Sequence, residues 1–182
     1  MKTYISMLRG INVSGKNLIK MNALQEMYKN LGYKNVKTFI QSGNVIFQSE
    51  EDDISALTSI ISITIQEVFS LDIPVVVKEK SVLADIYSEN PFLKDDDKNA
   101  ENQYICLLSN VVDSQLIEKI DDSKYLPDAF CLKEDAIYIY CPNGYGNTKL
   151  NNNFFENKLK LNATTRNLKT LRTLIQMSED IK

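Results

Sequence analysis

The order of predicted strands and helices repeats on the two sides of an acidic segment, and this repeat limits the folds open to the chain. Apolar periodicity predicts the order β-α-β-β-α-β within residues 1–80. Residues 103–165 repeat β-α-β-β-α, with a helix near residues 113–120 and a short last strand at residues 162–165. A β-α-β-β-α-β unit is typical of the ferredoxin-like fold, a four-stranded antiparallel sheet with two helices on one face.

We therefore predict an α+β protein of two ferredoxin-like (βαββαβ) halves with antiparallel sheets, plus a C-terminal helix. The first half spans residues 1–80. The second half, which is degenerate and includes the C-terminal helix, spans residues 103–182. A short helix and an acidic linker fill residues 81–102, and Pro91 ends that helix because the residue before a proline is pushed out of the helical region.

Polar residues predict where three of the helices begin. Asn22 with Gln25 three residues later predicts a capping box for the first helix. Asp53 predicts the N-cap of the second helix, a long apolar segment rich in β-branched residues. Thr148 predicts the N-cap of a helix that ends near Leu159.

The chain has no histidine, which excludes His-based triads and most zinc or haem sites. The cysteines are odd in number and show no C-x-x-C spacing, so we expect reduced thiols, no bound metal and no cofactor. A hairpin that turns at Glu134–Asp135 places Cys131 opposite Tyr138, which argues against a disulfide between Cys131 and Cys141. Cys106 is expected to be a buried thiol.

Charge is unevenly distributed along the chain. The net charge is +5 over residues 1–50, −12 over residues 51–135 and +4 over residues 136–182, and all three arginines lie in the two basic ends. A pI of about 5.1 differs from the strongly basic domain typical of nucleic-acid binders. The apolar runs are too short to span a membrane and the N-terminus lacks a signal-peptide pattern, so we expect a cytoplasmic protein without membrane contact.

Two polar segments of the first half are candidates for a ligand site. The loop Arg9–Asn17 follows the first strand, and the turn Gln41–Asn44 precedes the third. The first and third strands are neighbours in a ferredoxin-like unit, so we expect Arg9 to approach the turn. An arginine fork and the Lys16 charge suit a phosphate or carboxylate. Alternatively, the asparagines bond only to the backbone of their own turns.

Two further polar segments lie in the second half. Pro142–Lys149 leads from a strand into a helix, a place where an anion can bind, although its spacing matches neither a P-loop nor a dinucleotide fingerprint. The alternative is an ordinary glycine-rich turn. Thr164–Asn167 stands at the start of the last helix. Its alternative role is an N-cap beside a solvated arginine.

The motifs Arg9-Gly10-Ile11-Asn12-Val13-x-Gly15-Lys16-Asn17, Gln41-Ser42-Gly43-Asn44-Val45-x-Phe47 and Thr164-Thr165-Arg166-Asn167-x-x-Thr170 together resemble an uncharacterised bacterial family, domain of unknown function 1697. The resemblance covers nearly the whole chain, and Asn90-Pro91-Phe92 and Gly144-x-Gly146-x-x-Lys149 are similar to weaker blocks of the family. Ser14 stands where a second glycine is usual, and Leu168 stands where a tryptophan is usual. The resemblance implies two ferredoxin-like halves and no established activity.

The function predicted first is binding of a small anionic ligand, phosphorylated or nucleotide-like. One alternative is RNA or single-strand binding, with Tyr4 and Phe47 as the only aromatic candidates on the two central strands of the first half. A second is an enzyme of unknown reaction in which Lys16, Arg9 or Arg166 stabilises charge. A third is a purely structural or protein-interaction role.

We predict that the anion site gathers residues from both basic ends of the chain. Two arginines brought together would repel unless an anion or a protein carboxylate lay between them. The predicted ligand-binding residues are Arg9, Asn12, Lys16, Asn17, Gln41, Ser42, Asn44, Lys149, Arg166, Asn167 and Thr170.

Overall fold

A computed structural model describes residues 1–112, 115–116, 120–133 and 135–181 of the chain. These residues form two compact units. The first unit consists of Met1–Ala84 together with Thr173–Lys182, and the second consists of Asp85–Arg172. Each unit contains one four-stranded sheet in which all the strand pairs are antiparallel.

The first unit has the predicted order β-α-β-β-α-β. Its sheet order is β2-β3-β1-β4, so β1 lies between β3 and β4. The elements are β1 (Lys2–Leu8), α1 (Met21–Asn30), β2 (Lys34–Phe39), β3 (Asn44–Ser49), α2 (Ile54–Phe69) and β4 (Val75–Glu79).

The second unit repeats that strand arrangement, with the sheet order β6-β7-β5-β8. Helix α3 (Lys80–Ser88) leads into it. Its elements are β5 (Gln103–Leu108), β6 (Ala129–Lys133), β7 (Ala136–Tyr140), α4 (Asn152–Leu159), β8 (Ala163–Asn167) and α5 (Leu168–Glu179). The helix predicted near residues 113–120 falls on residues 113, 114 and 117–119, which lie outside the described part of the chain.

The predicted register of the β6–β7 hairpin is confirmed. Cys131 pairs with Tyr138, as the sequence predicts, and Lys133 pairs with Ala136. Because the register fixes which residues lie opposite each other, Cys131 does not face Cys141. All three cysteines are free thiols.

Helix α2 begins where the sequence indicates, but α1 does not. The Asp53 carboxylate accepts a hydrogen bond from the Ser55 amide over 2.8 Å, which confirms the predicted cap. Helix α1 begins one residue before Asn22, with Lys20 at the N-cap and no side-chain cap, so the predicted capping box is wrong. Gln25 instead donates to the Val36 carbonyl over 2.7 Å and ties α1 to β2.

One apolar core lies between the sheet and helices α1 and α2 of the first unit. It contains the alternate β1 residues Tyr4 and Leu8, the β3 residue Phe47, and residues of both helices such as Leu24 and Ile61. The other faces of the central strands are buried as well, since all residues from Tyr4 to Leu8 are less than 1% exposed. Both faces of β1 therefore exclude water.

The segment before β5 is fixed by a buried amide pair. The Asn90 side chain donates to the Gln103 side chain over 2.9 Å, and both residues are 1% exposed. Gln103 in turn donates to the carbonyls of Phe92 and Lys98 over 3.0 and 2.9 Å. Buried amides require such partners, so these bonds hold the acidic segment against the second unit.

Candidate functional site

The N-terminal loop of residues 9–17 contains a two-residue hairpin. Val13 pairs with Lys16, and the Lys16 amide donates to the Val13 carbonyl over 2.9 Å. The backbone φ is +50° at Ser14 and +74° at Gly15. Positive φ at both central positions is typical of a type I′ turn, which prefers Asn-Gly or Gly-Gly. Sequence analysis missed the turn because Ser-Gly is a weak signal for it.

The side chain of Asn12 holds this loop in place. Its amide donates to the carbonyls of Ile19 and Gln41, both over 2.9 Å, and its oxygen accepts from the Ile19 amide over 2.9 Å. Asn17 donates to the Gly10 carbonyl over 3.0 Å. The amide groups of both asparagines are thus engaged with the backbone of the loop and the neighbouring turn.

The loop and the turn before β3 meet at Gly43. Its carbonyl accepts from the Leu8 amide over 2.8 Å. A Cβ at this position would lie 2.7 Å from both Leu8 Cβ and Ile11 Cδ1, and φ is +73°, so only glycine fits. The Asn44 amide, which is fully buried, donates to the Ser42 hydroxyl over 2.8 Å.

Two cations of this loop lie at different depths. Arg9 is half-buried, and its backbone amide donates to the Pro74 carbonyl over 3.0 Å. Lys16 is exposed on the hairpin. The loop therefore presents a guanidinium at its base and an ammonium at its tip, both on a backbone that Asn12 fixes.

Arg166 of the second unit is buried, contrary to the solvated arginine of the capping alternative. It is 9% exposed, and its Nη1 donates to the Thr164 hydroxyl over 2.8 Å and to the Thr165 carbonyl over 3.0 Å. Burial lowers the pKa of the guanidinium, which still stays protonated at neutral pH. The cap itself is present, because the Asn167 side chain accepts from the Thr170 amide over 2.8 Å at the start of α5.

The predicted N-cap at Thr148 is wrong. Asn151 caps α4 instead, accepting from the Phe154 amide over 3.1 Å. The Thr148 hydroxyl donates to the Asp128 carboxylate over 2.6 Å and accepts from the Leu150 amide over 3.0 Å. The segment Pro142–Lys149 therefore packs against the residues before β6 rather than opening directly into the helix.

A cavity of about 220 Å³ lies beside this segment in the second unit. Lys149 lines it, and so does Lys124, which sequence analysis did not single out. Asn143 and Asn147 contribute to the same wall, and the Asn147 amide donates to the Asn143 carbonyl over 2.8 Å. Asp128 is the acidic residue in the lining. The site thus combines two ammonium groups with amides in a concave surface.

Lys124 was missed because nothing near it in the sequence marks a site. It lies in a 3₁₀ helix, Asp122–Tyr125, and forms an ion pair with Asp121 over 3.3 Å. Only the folding of the chain brings it to the same cavity as Lys149, which is 25 positions away. Predicting that Lys124 and Lys149 line the same cavity requires knowledge of the tertiary contacts.

The aromatic residues proposed for base stacking are buried. Tyr4 and Phe47 are both 0% exposed, with ring centroids 5.7 Å apart. Tyr28 packs edge-on against Phe47 at 5.4 Å. A base stacks only on a ring face that it can reach, so Tyr4 and Phe47 cannot serve this purpose.

Within the described ranges, no group of three or more Cys, Asp or Glu residues is arranged to hold a metal ion. Among the same residues, no helix is both long enough and apolar enough to cross a membrane.

The predicted site residues divide between the two units. The first unit holds Arg9, Asn12, Lys16, Asn17, Gln41, Ser42 and Asn44, and the second holds Lys149, Arg166, Asn167 and Thr170. Within the first unit the loop and the turn come together. That Arg9 and Arg166 face one ligand stays a prediction.

The sequence model of a family described as "Protein of unknown function (DUF1697)" matches residues 1–138. This chain belongs to that family. The match includes the loop Arg9–Asn17 and the turn Gln41–Asn44, whereas Pro142–Lys149 and Thr164–Thr170 lie beyond it. The family model therefore matches a shorter part of the chain than the motifs predict, since they indicate a resemblance over nearly the whole chain.

One solved structure similar to this member of the DUF1697 family is that of the conserved bacterial protein SP0830 from Streptococcus pneumoniae. The TM-score is 0.75 at 19% sequence identity, and the alignment covers 97% of this chain and 98% of the other. At this identity the likeness concerns the fold alone. No curated protein matches the sequence.

The two departures from the DUF1697 pattern have different structural settings. Ser14 has φ +50°, a backbone conformation that favours the glycine usual in the family. Leu168, at the position of the usual tryptophan, is 4% exposed at the start of α5. The first departure therefore strains the backbone, and the second leaves a buried apolar side chain at the position.

Proposed function

We propose that the protein binds a small anionic ligand, phosphorylated or nucleotide-like, and that the cavity lined by Lys124 and Lys149 receives its anionic group. The observation that carries this proposal is the presence of two ammonium groups on one concave surface. Ammonium and amide N–H groups are the donors that phosphate and carboxylate oxygens require.

The charge balance of the cavity favours an anion over a cation. Two lysines and one aspartate line it, and the Asp128 carboxylate already accepts from the Thr148 hydroxyl over 2.6 Å. The Lys124 ammonium pairs with Asp121, so Lys149 supplies the main positive charge for an anion. Asn143 and Asn147 also line the cavity and add no negative charge. A volume of about 220 Å³ leaves room for an organic group beside the anion.

The N-terminal loop supplies a second set of cations for this function. Arg9 and Lys16 lie on a backbone held by the Asn12 side chain, and three non-glycine residues of the loop, Asn12, Ser14 and Asn17, have positive φ. Such conformations cost free energy and concentrate at ligand sites. We include Arg9 and Lys16 among the anion contacts, and the experiment below separates them from the lysines of the cavity.

We also infer that the two units are ferredoxin-like halves. The sheet order β2-β3-β1-β4 and the order β-α-β-β-α-β of the first unit support this, as does the order β6-β7-β5-β8 of the second. This fold hosts many unrelated functions, so we infer anion binding from the residues of the site and not from the fold. The buried rings of Tyr4 and Phe47 leave the RNA-binding alternative without its stacking surface.

Titration of the protein with inorganic phosphate and with adenosine monophosphate, followed by backbone amide chemical shifts, tests the proposal. We expect the largest shifts at residues 143–149 and 124–128. Lys149→Met and Lys124→Met should each weaken binding by about tenfold, since a charge-assisted hydrogen bond contributes roughly 1.5–3 kcal/mol. Lys16→Met reports whether the N-terminal loop takes part.

The matched control is Lys158→Met, which removes an exposed lysine of α4 outside the cavity lining. If the Lys149 and Lys158 variants bind phosphate and the nucleotide equally well, or if no amide shifts at millimolar ligand, the proposed anion site is wrong. Shifts confined to residues 9–17 would move the site to the N-terminal loop. A reaction product in the nucleotide samples would favour the enzyme alternative.

A further inference from the structure

A second cavity, of about 430 Å³, lies in the first unit at the end of the sheet where β1 begins. Lys2 pairs with Ser49 and Lys34 pairs with Gln48 at this end. The N-terminal loop follows Leu8 at the other end of β1. The cavity therefore shares no lining residue with the loop.

The wall of this cavity is aromatic and apolar. The Tyr33 ring packs on Phe47, with centroids 4.5 Å apart and an interplanar angle of 31°. Leu57 and Ile60 of α2 form the opposite lining; Leu57 is 1% exposed, whereas Ile60 is 48% exposed. Because Phe47 is fully buried, the Tyr33 ring rests on a rigid support.

The lining of the cavity has more acidic than basic side chains. Glu50 and Glu51 line it, and Asp52 and Asp53 follow directly in the chain. Burial and the nearby Glu51 carboxylate raise the pKa of the Tyr33 hydroxyl to about 12. This hydroxyl makes no hydrogen bond with another described residue, so it is available to a ligand.

We propose that this cavity binds a small organic cation with an apolar group, such as an arylalkylamine. The ammonium group is attracted by the carboxylates of Glu50 and Glu51 and by the face of Tyr33, and the apolar group packs on Ala56 and Ile60 of α2. Lys34 also lines the cavity, so the side chains of the lining include two carboxylates against one lysine ammonium. The proposal does not depend on the anion site of the second unit.

Three probes of similar shape and different charge test the proposal: phenethylamine, phenylacetate and 2-phenylethanol. We expect phenethylamine to shift the amides of Tyr33 and Ile60 and to bind at least tenfold more tightly than phenylacetate, with the neutral alcohol between them. Tighter or equal binding of phenylacetate would overturn the proposal. So would the absence of any shift at Tyr33 and Ile60 at millimolar phenethylamine.

Variants locate the binding. Ala56→Phe places a ring in the cavity lining and should abolish binding of phenethylamine, whereas Ser59→Phe makes the same change at an exposed α2 position outside the lining. Glu50→Gln and Glu51→Gln should each weaken binding severalfold, and Asp96→Asn, which lies outside the cavity, should not. If Ser59→Phe and Asp96→Asn weaken binding as much as their counterparts, the cavity is not the site.

Discussion

The side-chain amide of Asn12 donates a hydrogen bond over 2.9 Å to the carbonyl of Gln41, which lies 29 positions further along the chain. The same amide bonds to the Ile19 carbonyl, and the Asn12 oxygen accepts from the Ile19 amide. One side chain therefore joins the loop after β1, the residues before α1 and the turn before β3. These three hydrogen bonds hold the backbone of the loop that carries Arg9 and Lys16.

Asn12→Ala should destabilise the protein by about 1–3 kcal/mol, because it leaves backbone groups without partners and places alanine at φ +54°. Urea unfolding measures the change. Asn17→Ala, which also places alanine at a positive φ of +49° but removes one hydrogen bond instead of three, should cost less. Equal midpoints for the two variants would show that Asn12 does not have this joining role.

Ser14→Gly should stabilise the protein by about 0.5–1 kcal/mol, because glycine adopts a positive φ without the steric cost that a Cβ imposes. The residue has φ +50° at the first central position of a type I′ turn. Ser14→Ala is the matched control, since it removes the hydroxyl and keeps the Cβ. A thermal unfolding midpoint raised equally by both variants would assign the gain to the hydroxyl rather than to the backbone.

The success and failure of sequence analysis follow from the range of each interaction. The Asp53 cap and the register that places Cys131 opposite Tyr138 depend on residues close in sequence, and both predictions are confirmed. The burial of Tyr4 and the approach of Lys124 to Lys149 depend on tertiary packing. Alternation along β1 does not show that both of its faces are buried, so the sequence leaves Tyr4 as a stacking candidate of the RNA-binding alternative.

Local rules also failed where a tertiary contact competes with a cap. Thr148 has the residue type and position of an N-cap, yet its hydroxyl donates to Asp128, 20 positions earlier in the chain. Gln25 likewise bonds to the Val36 carbonyl instead of completing a capping box. A polar side chain with two possible hydrogen-bond partners therefore bonds to the partner that tertiary packing places within hydrogen-bond distance.

The Lys2–Glu79 ion pair, with Nζ and Oε2 3.0 Å apart, should make stability depend on pH. The Lys2 ammonium lowers the pKa of Glu79, so the stabilisation is present above the ordinary pKa of a glutamate and is lost as the pH falls through the lowered value. Lys2→Met should therefore reduce the urea midpoint at pH 7 and have little effect at pH near 3. Lys20→Met is the control with an exposed lysine, and an equal pH dependence in both variants would contradict the assignment.

Arg166→Lys should separate the structural and ligand-binding roles of the arginines and lysines in the second unit. The guanidinium of Arg166 is 9% exposed and bonds to the Thr164 hydroxyl and the Thr165 carbonyl, a geometry that a lysine ammonium does not reproduce. We expect the free energy of unfolding to fall by about 1.5–3 kcal/mol, the range for hydrogen bonds from charged groups.

The phosphate affinity of the folded Arg166→Lys variant should change less than that of Lys149→Met. The Lys149 substitution removes an exposed amine and should leave the free energy of unfolding unchanged. Urea unfolding and phosphate titration of the two variants check both expectations. If Arg166→Lys loses phosphate affinity while keeping its stability, Arg166 contacts the anion directly and its bonds to Thr164 and Thr165 are secondary.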